Sequence, residues 1–128
     1  MTPTGKPSLR LLLVEDHEDT LKILSRLLTR EGHQVVPART FAEAVESAAA
    51  NKFDVVVSDL TLPDGLGTTL MLTLKSTHGL PGIALSGHGE EEDLVRSREA
   101  GFFAHLVKPV DFAALRAALG SVNKTPAA

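Results

Sequence analysis

Two apolar runs with no polar interruption, "LLLV" (11–14) and "VVV" (55–57), constrain this chain more than any other feature. A strand with one wet face alternates apolar and polar residues. A run without alternation belongs to a strand covered on both sides. Short apolar runs and segments of helical period then trade places five times. "LRLLLVE" (9–15) leads into Leu21, Leu24, Leu27 and Leu28 at helical spacing, with Gly32 where that helix stops. "QVVPA" (34–38) follows, and its Pro37 suits an edge strand. Thr40 and Glu43 read as a capping box for a helix whose inner stripe is Phe41, Ala44, Val45 and Ala48. "FDVVVS" (53–58) precedes Leu66, Leu70 and Leu74, which fall four apart until "THGLPG" breaks the helix. "IALS" (83–86) leads through a Gly-rich loop into a helix from about Glu90 to Ala100. "FFAHLV" (102–107) is last, with Asp111 capping a helix striped by Phe112, Leu115 and Leu119.

Five strand–helix repeats predict an α/β fold with a parallel sheet, doubly wound as (βα)5. Residues 1–8, with Pro3, Gly5 and Pro7, read as a flexible leader; 9–121 form the domain, and 122–128 a tail or linker. At 128 residues, 43% hydrophobic and 23% charged, the chain has enough apolar material for one real core. A net charge of −3 gives no reason to expect direct binding to nucleic acid or an anionic membrane. There is no cysteine, which excludes disulfides, thiolate metal sites and cysteine nucleophiles. No apolar run is long enough to span a bilayer and the first ten residues carry no signal-peptide core, so the expectation is a cytoplasmic domain.

Polar residues sit at the carboxyl ends of four of the five runs: Glu15 and Asp16, Asp59, Ser86 and Lys108. In open doubly wound sheets, sites form outside the carboxyl ends of the strands, where strand order reverses. The flavodoxin-like order 2-1-3-4-5 makes these four runs neighbours and leaves "QVVPA" at the edge. The residues then share one shallow pocket. Clustered carboxylates repel unless a cation joins them, and Mg²⁺, which prefers oxygen ligands, suits them. Lys108 and Ser86 offer a phosphoryl group a positive charge and a hydrogen-bond donor. Asp59 is itself a competent nucleophile when ionised.

The blocks "LLLVEDHED", "VVVSDLTLPDGLG", "IALSGHG" and "HLVKPVD" resemble the signature blocks of response-regulator receiver domains of two-component signalling, in order, over roughly residues 8 to 121. The resemblance implies that Asp59 is the phosphoacceptor in a phosphorelay. It implies that Asp16, Asp59 and the backbone carbonyl of Thr61 bind Mg²⁺, with Mn²⁺ able to substitute and Glu15 supporting directly or through water. It assigns Ser86 and Lys108 to the phosphoryl group, with Leu60 and Gly87 touching it through their backbones and the Lys108–Pro109 bond cis. The donor would be a histidine kinase or a histidine phosphotransfer protein. The face around helix 4, strand 5 and helix 5 would switch, in a monomer or a weak dimer through that face.

One position departs from the family. Where receivers usually carry Tyr or Phe as a switch partner to the hydroxyl, three residues before the lysine, this chain has His105. With "LVKPVD" after it, His105 resembles receivers attached to histidine kinases. His88 falls two residues past Ser86, either near the water of dephosphorylation or as a plain loop residue. The five histidines have no paired metal spacing, which argues against zinc. Two rivals share parts of the pattern. A Mg²⁺-dependent aspartyl-phosphate phosphohydrolase would want a second aspartate where Thr61 stands, together with a cap domain. A flavodoxin-like binding or docking module would want a phosphate loop after the first strand.

Overall fold

The computed structural model describes residues 8–87 and 91–122 of the chain. Five strands, β1 (Arg10–Val14), β2 (Gln34–Ala38), β3 (Val55–Asp59), β4 (Gly82–Ser86) and β5 (Phe102–Val107), form one parallel sheet in the order β2-β1-β3-β4-β5. Five helices alternate with them: α1 (Glu18–Arg30), α2 (Phe41–Ala50), α3 (Gly67–His78), α4 (Glu91–Ala100) and α5 (Phe112–Gly120). This is the doubly wound, flavodoxin-like arrangement that the apolar runs predict, with the proline-bearing strand at the edge.

Two apolar layers hold the sheet. On one face Leu12, Val14, Val56 and Ala84 meet residues of α2, α3 and α4, including Ala44, Leu70, Met71 and Leu74. On the other, Leu11, Leu13, Val55, Val57, Ile83 and Leu85 meet Leu21, Leu24 and Leu28 of α1 and Leu115 and Leu119 of α5. Every residue of β3 and β4 is buried, as expected for central strands covered on both sides. Val122, the first residue assigned to the tail, is buried in the second layer.

The caps follow from local chemistry. Thr40 Oγ1 accepts the Glu43 N–H at 3.1 Å, but the Glu43 carboxylate takes the N–H of Arg39 at 3.2 Å, one residue before the usual partner of a capping box. Asp111 Oδ1 accepts the Ala113 N–H at 2.9 Å and starts α5. The α3 stripe differs from its expectation. Leu66 precedes the helix and is more than half exposed, while Gly67, Leu70, Met71 and Leu74 face inward. The cause is a two-stranded antiparallel ribbon, Thr61–Leu62 against Gly65–Leu66, which holds Leu66 in extended backbone just ahead of the first helical turn.

The sheet edge has a second irregularity. Gly82 pairs with Phe102 but Ile83 with Ala104, so Phe103 is an extra residue in β5, a β-bulge. Phe102 and Ala104 consequently point to opposite faces although they are two residues apart.

Leu13 has no exposed surface at the centre of this packing. Leu13→Ala should cost about 2–5 kcal/mol, read as a lower urea midpoint with an unchanged slope; a loss below about 1 kcal/mol would mean that the core re-closes around the gap.

Candidate functional site

Each polar residue of the rim is held just where a strand ladder runs out. The Glu15 N–H donates to Ala38 O at 3.0 Å, one step past Val14. The Lys108 N–H donates to Ser86 O at 2.7 Å, one step past the Ser86–Val107 pair. Asp59 is the last residue of β3, opposite Leu85, and the next N–H, that of Leu60, donates to Leu85 O at 3.0 Å. The sheet hydrogen bonds therefore fix the main chain under four rim side chains before any of those side chains makes a contact.

The side chains then converge. Lys108 Nζ lies 2.7 Å from Glu15 Oε1 and 2.9 Å from Asp59 Oδ2, a single ammonium bridging two carboxylates. Glu15 is fully buried, and its other oxygen accepts the His17 N–H at 3.1 Å. Asp59 Oδ1 accepts the Thr61 N–H at 3.3 Å. Asp16 is exposed beside them, and Glu15, Asp16 and Asp59 each offer an oxygen within 4.8 Å of the others. Ser86 is buried at the end of β4. All five residues singled out at the strand ends thus lie on the same rim.

Burial and charge act on the protonation of these groups in opposite senses. Burial pushes the Glu15 carboxyl above its ordinary value of 4.5, against the lowering effect of its bonds from Lys108 and His17. Burial alone would lower Lys108, but its hydrogen bonds to Glu15 and Asp59, and their charges, outweigh it and hold the ammonium above 10.5. Three carboxylates face one lysine, which leaves an excess of negative charge. The donor atoms are all hard oxygens, as a Mg²⁺-like cation requires, and they are close enough together to share one.

The structure sharpens several sequence assignments. The N–H of Leu60, expected to touch a phosphoryl group, is already committed to Leu85 O, whereas the N–H of Thr61 points to the Asp59 carboxylate. Glu15 has both oxygens engaged, so its first task is to seat Lys108. The Lys108–Pro109 bond is cis. His105 pairs with Ala84, two residues short of Ser86, and stands among partly buried residues of β5. Gly87 is exposed next to Ser86. His88 lies outside the described residues. Asp64 bonds the start of α2 through both its oxygens. No helix among the described residues is long and apolar enough to cross a membrane.

Comparison with known proteins agrees with this geometry. The family model for the response regulator receiver domain matches residues 11–120. The transcriptional regulatory protein GlrR of Escherichia coli K12 is 39% identical over 115 residues, covering 89% of this chain and 26% of that protein. The KDP operon transcriptional regulatory protein KdpE of the same strain is 34% identical over 109 residues, covering 85% and 48%. The chain thus spans about a quarter to a half of these curated relatives. Among solved structures, the non-phosphorylated HemR receiver domain from Leptospira biflexa superposes with a TM-score of 0.82 at 31% identity, covering 95% of this chain and 100% of that one.

The paired charges carry a pH signature. The folded-state value of Lys108 is raised, so its stabilisation is present below 10.5 and lost as pH climbs through that folded value. Glu15 is also raised, so the stability linked to its protonation is present below 4.5 and lost as pH rises through its folded value. Lys108→Met removes the partner that restrains this rise. The variant should lose more resistance to urea at about pH 8 than at about pH 5, where Glu15 can take up a proton. Equal losses at both pH values would contradict the pairing.

Proposed function

This chain belongs to the response regulator receiver domain family, and from that premise we propose that Asp59 accepts a phosphoryl group from a phosphohistidine on a histidine kinase or histidine phosphotransfer protein. The observation that carries the assignment is the bridge from Lys108 to Glu15 and Asp59 beside exposed Asp16, at the carboxyl rim of the sheet.

The transfer balances simply. An Asp59 carboxylate oxygen forms a bond to phosphorus while the P–N bond of the phosphohistidine breaks, and that electron pair leaves on the donor imidazole. Asp59 needs no base, because an ionised carboxylate has no proton to lose. Asp16, Asp59 and the Thr61 carbonyl would hold Mg²⁺ or Mn²⁺, with Glu15 in support; when bound, the ion offsets charge gathering on the phosphoryl oxygens. Lys108 follows the phosphoryl group as a point charge, and buried Glu15 keeps it at the site. Ser86 supplies a hydroxyl, and the backbones of Leu60 and Gly87 line the cradle, with the Thr61 N–H beside the Asp59 carboxylate.

In the same reading, a phosphoryl group on Asp59 draws Ser86 inward, and His105 on the neighbouring strand changes its packing. The α4–β5–α5 face then becomes the output surface, used by a monomer or a weak dimer. The names of the relatives favour attachment to a transcriptional regulator over the kinase attachment that His105 evokes.

A small acyl phosphate with Mg²⁺ should label the wild type and leave Asp59→Asn unlabelled, read by intact-protein mass and Phos-tag mobility. Lys108→Ala should slow labelling by about 10²-fold, the scale for removing one stabiliser of developing charge. Full labelling of the Asn variant would overturn the assignment of Asp59.

A further inference from the structure

We propose that Asp64 is a positioning residue for the phosphoryl site: it clamps the loop that follows Asp59 to the amino end of α2, and so fixes the Thr61 backbone beside the acceptor carboxylate. The inference rests on Asp59 being the acceptor and extends that reading to a residue outside the rim.

Both oxygens of Asp64 are used, across a long stretch of sequence. Oδ1 accepts the Phe41 N–H at 2.7 Å and Oδ2 the Ala42 N–H at 3.1 Å. These are first-turn amides with no partner inside a helix. Thr40 already caps α2 through the Glu43 N–H, so Asp64 takes the two donors that Thr40 leaves over. Those two bonds hold its carboxyl below the ordinary 3.8, the Phe41 bond contributing most.

The other half of the clamp is the shape of the loop. Gly67 N donates to Leu60 O at 2.8 Å, and Thr61–Leu62 pairs with Gly65–Leu66, so the loop closes on itself immediately after Asp59. A Cβ on Gly67 would collide with the carbonyl oxygen of Asp59 and lie 2.8 Å from Leu60 Cα. A Cβ on Gly65 would come within 2.9 Å of the Phe41 ring. The loop therefore packs against the acceptor strand at one end and against Phe41 at the other. Thr61 lies between, with its N–H 3.3 Å from Asp59 Oδ1. Asp64 is exposed and five residues from the acceptor, so it touches no reacting atom. It acts through the main chain of Thr61.

The test compares wild type, Asp64→Ala and Asp64→Asn, with Asp59→Asn as control. Mg²⁺ affinity is measured by calorimetry without any phosphodonor, and thermal midpoints are recorded in parallel. Labelling by a small acyl phosphate is then followed as a function of Mg²⁺. Asp64→Ala should bind Mg²⁺ about 10-fold more weakly, the scale on which outer supporting groups affect a metal site. It should also need correspondingly more Mg²⁺ for half-maximal labelling. Asp64→Asn keeps an accepting oxygen and should recover most of the affinity. If Asp64→Ala lowers only the thermal midpoint and leaves Mg²⁺ affinity unchanged, Asp64 is a helix cap and nothing more. If Asp64→Asn is as weak as Asp64→Ala, lost charge rather than lost geometry is responsible, and the clamp is overturned. Labelling of Asp59→Asn would instead sink the acceptor assignment on its own.

Discussion

A parallel sheet sealed on both faces has no place for charge along its central strands, and that constraint organises the molecule. β3 and β4 are buried throughout, and β1 is buried from Leu11 onward. A carboxylate anywhere in their middle would face a desolvation cost of several kcal/mol. Charge can enter only where the ladder stops. Since parallel strands start and stop in step, their ends align, and the acids of β1 and β3 meet the lysine after β5 across the same rim. The aligned rim is a by-product of burial as much as a device for chemistry.

Glu15 shows how far this goes. It is a fully buried acid kept in place by an ammonium it shares with Asp59. Buried pairs of this kind contribute little net stability, because desolvation consumes much of the attraction. Their value here is positional. The Lys108 side chain is long and flexible, and two acceptors on adjacent strands leave it little freedom. Its main chain is tied to Ser86, so the hydroxyl and the ammonium move as neighbours.

The fold was legible because doubly covered strands have an unmistakable pattern in "LLLV" and "VVV", and the site because strand ends are countable. The flavodoxin-like strand order agreed with the polar ends, since it sets the one run without such an end at the edge, where β2 lies. What escaped depends on contacts between distant segments. Asp64 meets Phe41 23 residues away, and nothing in "LPDGLG" announces that partner. Leu66 fell on the α3 stripe by spacing, but the ribbon with Thr61 turned it outward. That the Leu60 amide is spent on the ladder to Leu85 is likewise invisible in the sequence. The phosphohydrolase and the flavodoxin-like binding or docking module shared the sheet, and the match to the receiver family favours neither.

The bulge at Phe103 has a consequence for which sequence changes this chain can absorb. One surplus residue exchanges the faces of everything after it, so that Ala104 and Leu106 turn to the α1 and α5 layer. Side-chain replacements at Phe103, which is nearly half exposed, are local events. Deleting the residue is not. The strand would either swap the faces of its last four residues or pull Lys108 one step back from the rim. The lysine's place is thus set by a count of residues as well as by its contacts, and β5 should admit substitutions far more readily than changes of length.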